Sequence, residues 1–275
     1  MNILSSPDVS SAVILARGLG TRMRKPDSEA AVESAQAAVA DSGVKGMIPI
    51  GRPFLDYVIS ALADAGYSRA CLVIGPEHEA IREHYTVASP PRRVTLQFAV
   101  QEKPLGTADA VLAAEEFAAG EPFIVLNSDN YYPLAALRAL RVTRPPALIA
   151  FSVRALIEIG NVSPDRARRF GSLNIGEDGM LRRIVAIGAA DAAFDEEPYA
   201  SMNCWSFTPA IFEACRRVPV SARGEFELPQ AVALGIRELG MRFTAVRMRE
   251  AVLDLSTRAD IAEVQQRLRD TFVEI

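Results

Sequence analysis

Leu15-Ala16-Arg17-Gly18-Leu19-Gly20-Thr21-Arg22-Met23-Arg24-Lys25 is the stretch on which the reading of this chain turns. It begins where an apolar run, residues 12–16, gives out. Two glycines follow, then Thr21. Arg17, Arg22, Arg24 and Lys25 place four positive charges within nine positions. A buried strand that ends in a glycine turn and opens onto cations describes a phosphate site. Backbone N–H groups approach an anion closely where no Cβ intervenes, and a helix N-terminus beyond the turn adds partial positive charge. The spacing alone is ambiguous. Gly18 and Gly20 begin as a dinucleotide fingerprint does, but Met23 stands where a third glycine belongs, and the ending of a P-loop is missing. An ordinary strand-to-helix turn needs a glycine with positive φ but has no use for four cations.

The chain has 275 residues and a formal net charge of -4, with 49% hydrophobic and 23% charged residues. These values suit a soluble α/β protein of one large or two small domains. There is no basic face for nucleic acid, so the cations near the turn are a local feature. No apolar run reaches membrane-spanning length, and the N-terminus carries no cationic apolar leader, which points to a cytoplasmic protein away from membranes. Cys71, Cys204 and Cys215 are odd in number and lack metal spacing, as reduced core thiols do. His78 and His84 are expected on the surface of a helix.

Short apolar runs at residues 12–16, 70–74, 94–100, 123–126 and 147–153 read as strands. Between them, residues 54–65, 77–85, 106–118 and 133–140 read as helices. Residues 26–44, rich in Ala, Ser, Asp and Glu, read as a mobile loop or lid holding a short helix around 29–40, and residues 45–50 as an ordered extended segment. The second half offers a hairpin, 173–175 with 181–187, around Glu177-Asp178-Gly179. A strand at 202–207, helices at 209–216 and 227–239, a strand at 243–246 and a helix at 258–269 complete it. Alternating strands and helices predict an open, mainly parallel α/β sheet with helices on both faces. Such sheets bind ligands at the carboxyl ends of their strands, which brings the Gly18 turn, the Gln101 loop and the Asp129 loop to one edge. No linker or repeat divides the chain, so residues 1–275 are expected to form one domain, about 1–150 for nucleotide and 151–275 for an acceptor.

Two carboxylates stand out. Asp129 follows a buried strand directly, in Asn127-Ser128-Asp129-Asn130. Asp254 lies among apolar residues in Val252-Leu253-Asp254-Leu255, before a helix capped by Ser256 or Thr257. A turn-forming cluster explains the first and a loop carboxylate the second, but an aspartate in an apolar run must otherwise be paired or bound to metal. Two separated aspartates suit Mg²⁺, which takes few protein carboxylates and leaves positions for phosphate and water. Lys45 is one of only three lysines, with Lys25 and Lys103, and could reach a phosphate as a compact cation.

These residues resemble the sugar-1-phosphate nucleotidyltransferases, a family that includes glucose-1-phosphate thymidylyltransferase. The resemblance runs from the Leu15–Met23 motif through Lys45 and Ile48-Pro49-Ile50-Gly51-Arg52-Pro53. It continues in Gln101-Glu102-Lys103-Pro104-Leu105-Gly106-Thr107-Ala108-Asp109-Ala110, Asn127-Ser128-Asp129-Asn130, Met202-Asn203-Cys204-Trp205, Arg223-Gly224-Glu225-Phe226-Glu227 and Leu253-Asp254-Leu255. It implies a Rossmann-like nucleotidyltransferase fold with a smaller acceptor-binding subregion. The implied reaction is attack of a sugar phosphate oxygen on the α-phosphorus of a nucleoside triphosphate, releasing pyrophosphate. By resemblance, Arg22 neutralises the β/γ phosphates, and Lys45 bridges the phosphates of both substrates. Asp129 and Asp254 hold Mg²⁺. Leu15, Ala16, Gly18, Gly20 and Thr21 cradle the nucleotide. Gln101, Gly106 and Thr107 lie at the base. Gly171, Asn203 and Glu225 face the acceptor. Members are commonly homo-oligomers.

Two departures qualify this. Residues 26–44 lengthen the usual span between the arginine and lysine motifs. And the family's Glu-Lys-Pro, whose lysine binds acceptor phosphate, is replaced by Ala186-Ile187-Gly188, with Arg168, Arg169, Arg182 and Arg183 as candidate substitutes. The loss leaves room for a catalytically weak nucleotide-sugar-binding regulatory protein, or a cytidylyltransferase acting on a non-sugar phosphate. A Rossmann oxidoreductase is disfavoured by Met23.

Overall fold

The apolar run ahead of the glycine turn is strand β1 (Ser11–Leu15), and all five of its residues are buried. Ala12 and Ile14 enter one hydrophobic core, Val13 and Leu15 a second on the opposite face. This is the two-residue period of a strand covered on both sides. The computed structural model describes residues 8–186 and 197–275. Beside β1 run β2 (Arg69–Ile74), β3 (Thr95–Val100) and β4 (Phe123–Asn127). Further on come β5 (Asn130–Tyr131), β6 (Ala147–Ser152), β7 (Gly171–Ile175), β8 (Leu181–Ala186), β9 (Tyr199–Ala200), β10 (Trp205–Phe207), β11 (Thr244–Met248) and β12 (Leu253–Asp254).

The main sheet has eight strands in the order β11-β6-β10-β4-β1-β2-β3, with β9 also on β6. The ladders β1–β2, β1–β4, β2–β3 and β6–β11 are parallel. The inserted β10 is antiparallel to both β4 and β6. Both halves of the chain therefore build one sheet, and its parallel centre puts the segments after β1 and β4 at the same edge. The expected hairpin forms from β7 and β8, apart from the main sheet.

The helices are α1 (Thr21–Arg24), α2 (Ser34–Ser42), α3 (Phe54–Asp64), α4 (Glu79–Glu83), α5 (Thr107–Ala113), α6 (Glu115–Ala118), α7 (Leu134–Val142), α8 (Val153–Glu158), α9 (Pro164–Ala167), α10 (Ile211–Arg217), α11 (Leu228–Glu238) and α12 (Ala259–Leu268). Apolar residues of α3, α7 and α12 fill one core, those of α5, α10 and α11 the other.

Several local expectations are corrected. Lys45 opens a 3-10 turn, Lys45–Met47, instead of an extended segment. The residues 26–44 do not hang free as a lid. The α2 helix is tied down by Gln36 Nε2, which donates to the Pro49 carbonyl at 2.9 Å and to Gln265 Oε1 at 2.7 Å. Asp41 also pairs with Arg258. The strand at 202–207 shortens to Trp205–Phe207 because Met202 and Asn203 take left-handed φ values of 48° and 53°. His78 is buried, not on the surface, and its Nδ1 accepts the Gly75 N–H at 3.2 Å. The hydroxyls before α12 do not cap it. Instead Asp260, in its first turn, accepts from the Ser256 and Thr257 N–H groups. The three cysteines are buried free thiols, and burial pushes Cys71 and Cys215 up to about 12.

Candidate active site

The four cations around the glycine turn have separate employments. Arg17 is buried, its Nε donating to the Gln101 carbonyl at 2.8 Å and its Nη1 paired with Glu77. It clamps the turn to the ends of β2 and β3. Arg24 donates to the Ser42 carbonyl at 2.6 Å and so ties α1 to α2. Lys25 is exposed, and its carbonyl accepts from Arg258 Nε at 3.1 Å. Arg22 remains, exposed at the edge of a cleft. The two glycines also differ. Gly20 has φ 60°, and a Cβ there would lie 2.2 Å from the Gly43 carbonyl oxygen, so the turn and the end of α2 are packed backbone to backbone. A Cβ on Gly18 would meet nothing within 4 Å.

Two adjoining clefts open at this sheet edge. One, of about 340 Å³, is lined by Leu15, Ala16, Gly18, Gly20, Thr21, Lys45, Gln101, Gly106 and Thr107, and also by Asp129, Asn203 and Glu225. The other, of about 760 Å³, is lined by Arg22, Gly171 and Asp254, and again by Thr107, Asp129, Asn203 and Glu225. Asp129 thus stands on the partition between two cavities, each of a size to take a small molecule.

The two aspartates meet through a ladder of two residues. Strand β12 pairs antiparallel with β5, setting Asp254 opposite Asn130. Asn130 Nδ2 donates to Asp254 Oδ1 at 3.2 Å, and Ser256 Oγ donates to the same oxygen at 2.9 Å. Arg166 Nε lies 3.2 Å from Asp254 Oδ2, while its Nη1 reaches both oxygens of Asp260. Asn161 fixes the backbone of Asp254 from both sides. Burial, then the charge of Asp129, raises Asp254 to about 6. Lys45 Nζ forms an ion pair with Asp129 Oδ2. The donors here are oxygens of carboxylates, amides and a hydroxyl, the ligand chemistry of a hard divalent cation. A carboxylate such as Asp254, whose charge a like neighbour disfavours, also gains from a cation between the two. Among the described residues there is no group of three or more His, Cys, Asp or Glu side chains that could hold a metal alone. A pair of carboxylates leaves coordination positions for phosphate oxygens.

On the larger cleft, Arg168, Arg169 and Arg223 join Arg22 in the lining. Arg168 also pairs with Asp165 at 2.9 Å, both well exposed; Arg182 is not on this lining and pairs with Asp178 at 2.8 Å. Ile187 and Gly188 lie outside the described residues. Asn203 is held by two amide contacts: Nδ2 donates to Asn127 Oδ1, and Oδ1 accepts from Trp205 Nε1, each at 3.3 Å. Thr107 is also committed, its Oγ1 accepting the Leu228 N–H at 2.8 Å and so starting α11. Sequence reasoning missed Arg166, Asn161 and Asp260. Only the apolar setting of Asp254, which demands a buried partner, hinted at them.

Residues 11–270 match the family model described as nucleotidyl transferase. A UTP–glucose-1-phosphate uridylyltransferase of Haloferax volcanii is 30% identical over 266 residues, covering 94% of this chain and 96% of that protein. The bifunctional protein GlmU of Geobacter sulfurreducens is 29% identical over 97% of this chain, which spans only 52% of that longer protein. A crystal structure of UDP-glucose pyrophosphorylase with UDP-glucose superposes with a TM-score of 0.69 at 16% identity, covering 96% of this chain and 100% of that one.

Proposed function

Because this chain belongs to the nucleotidyl transferase family, as a nucleotidyltransferase of the sugar-1-phosphate type, we propose that it joins a nucleoside triphosphate to a sugar 1-phosphate with Mg²⁺ as its metal. The observation that carries this reading is the partition at Asp129. One cleft holds the glycine turn and Lys45, the next holds a rim of arginines and Asp254, and Asp129 stands where they meet. The triphosphate occupies the smaller cleft and the acceptor the larger.

In the reaction, an acceptor phosphate oxygen forms a bond to the α-phosphorus, and the bond to the β-phosphate oxygen breaks. Pyrophosphate leaves with the electron pair. Asp129 and Asp254 would hold Mg²⁺, which when bound neutralises phosphate charge. Lys45 is drawn from Asp129 onto the phosphates of the two substrates. Arg22, on the lining of the larger cleft directly after Thr21 of the smaller one, reaches across the partition to neutralise the leaving pyrophosphate. Gly18 admits the phosphates against its bare backbone. Arg168 and Arg169 supply the acceptor-phosphate charge that Ala186 and its successors do not. Catalysis is positioning and charge neutralisation. We further propose that the chain works as one domain, in the cytoplasm and as a homo-oligomer. No helix among the described residues is long and apolar enough to cross a membrane.

The test is pyrophosphate release from purified protein with Mg²⁺, a panel of nucleoside triphosphates, and phosphorylated sugars or alcohols. Release with a sugar 1-phosphate supports the reading, and addition of a chelator should abolish it. Triphosphate binding without release from any pair replaces it with the regulatory reading. Release only with CTP and a non-sugar phosphate replaces it with the cytidylyl one.

A further inference from the structure

Of residues 26–44, which lengthen the span between the arginine and lysine motifs, Gly43 alone lines either cleft. Their helix α2 nevertheless meets the supports of both Arg22 and Lys45. The Gly43 carbonyl, at the end of α2, is packed against Gly20 and accepts the Lys45 N–H at 3.0 Å. Arg24 of α1 donates to the Ser42 carbonyl at 2.6 Å. The third side is Arg258, buried just ahead of α12. Its Nε donates to the Met23 carbonyl at 3.0 Å and to the Lys25 carbonyl at 3.1 Å, and its Nη2 pairs with Asp41 of α2. Segments α1, α2 and α12 thus close a triangle. Helix α1 has four residues, too few to hold a helix unaided, and Arg258 satisfies the carbonyls at its C-terminal end. Arg22 lies inside α1, and its side chain makes no bond among the described residues. The setting of α1 therefore decides where Arg22 points.

We propose that Arg258 is a positioning residue for Arg22, and that residues 26–44 are its brace. Asp41 fixes the Arg258 guanidinium, the guanidinium fixes the end of α1, and α1 aims Arg22 at the pyrophosphate. The inference rests on the reading of Arg22 as the leaving-group cation. Arg258 itself lines neither cleft, so it acts on a ligand through α1. Its planar fork meets two carbonyls and a carboxylate at once, which a lysine ammonium on a flexible stem does not reproduce.

The experiment is a double-mutant cycle on the full chain, read by calorimetric titration with inorganic pyrophosphate in Mg²⁺. Arg22→Met should weaken pyrophosphate binding about tenfold, the loss of one charge-assisted contact. Arg258→Met alone should weaken it about fivefold, but less than about twofold when added to Arg22→Met, because no cation is left to aim. Arg258→Lys, a milder change that keeps the charge and loses the fork, should weaken it about threefold alone and again less than about twofold beside Arg22→Met. It carries the cycle if Arg258→Met does not fold. Equal fold-losses in the two backgrounds, as a merely structural role would give, overturn the proposal alone, and so does unimpaired binding in both Arg258 variants. Pyrophosphate binding that is absent in wild type, or unimpaired in Arg22→Met, overturns the reading of Arg22 and the proposal with it.

Discussion

Replacing Gly18 and Gly20 by alanine, one at a time, separates the two tasks of the glycine turn. At Gly20 the backbone has φ 60°, a region that costs a residue with a Cβ about 1–2 kcal/mol. The new carbon would also lie 2.2 Å from the Gly43 carbonyl oxygen and 2.6 Å from Gly43 Cα, backbone atoms with no rotamer to yield. Overpacking of this kind adds about 1–3 kcal/mol, so Gly20→Ala should lose about 2–5 kcal/mol in all. At Gly18 no atom lies within 4 Å of the added carbon and φ is not in the left-handed region. Gly18→Ala should therefore leave stability within about 0.5 kcal/mol of wild type. Its Cβ projects into the cleft where phosphates would approach, and triphosphate affinity should fall about tenfold, some 1.4 kcal/mol. Urea denaturation reads the first effect, and calorimetric titration the second. A silent Gly20→Ala, or a Gly18→Ala that unfolds the chain while leaving binding intact, would refute the assignment of the two glycines.

Asp129→Asn should lower turnover by about 100-fold or more while nucleotide affinity changes by less than about threefold, and near-normal pyrophosphate release would remove Asp129 from the metal pair. Arg166→Met strands Asp254 and Asp260 as buried carboxylates without their shared cation. That should cost about 3–5 kcal/mol in urea denaturation, and a loss below 1 kcal/mol would show the cluster to be solvated. His78 titrates below the usual histidine range because burial disfavours its charge, only partly offset by Glu77. The unfolded chain then takes the proton first, so this contribution is complete above about pH 6.5 and is lost as pH falls towards the folded value. In melts from pH 8 to 5, His78→Asn should flatten part of the wild-type decline; parallel curves would count against a neutral buried imidazole.

Much of the frame was legible because its signals are local. An unbroken apolar run such as Ala12 to Ala16 has few uses other than a buried strand, and Glu177-Asp178-Gly179 between alternating residues is a turn on its face. What escaped depends on distant partners. The short strands β5 and β12 have no periodicity to read, yet they bring Asp254 beside Asn130. Arg17 and Arg24 look like Arg22 in the sequence, but Gln101, Glu77 and Ser42 claim them for structure. Arg166 sits among other arginines near α9, and only the fold turns it inward between Asp254 and Asp260. The helix within residues 26–44 has weak amphipathic character because its anchors are Gln36 and Asp41, polar residues that a search for apolar stripes passes over.

The two-residue bridge between β5 and β12 also fixes the order in which the centre is assembled. Every residue lining the smaller cleft lies at or before Glu225, whereas Asp254 arrives on β12, late in the chain. During synthesis the lining of the cleft proposed for a triphosphate is spelled out well before the second carboxylate exists. A chain interrupted before Leu253 thus carries the lining without the carboxylate pair. On the proposed function such a fragment holds a nucleotide at most, and the capacity to consume one belongs to a chain whose late segment has returned to Asn130.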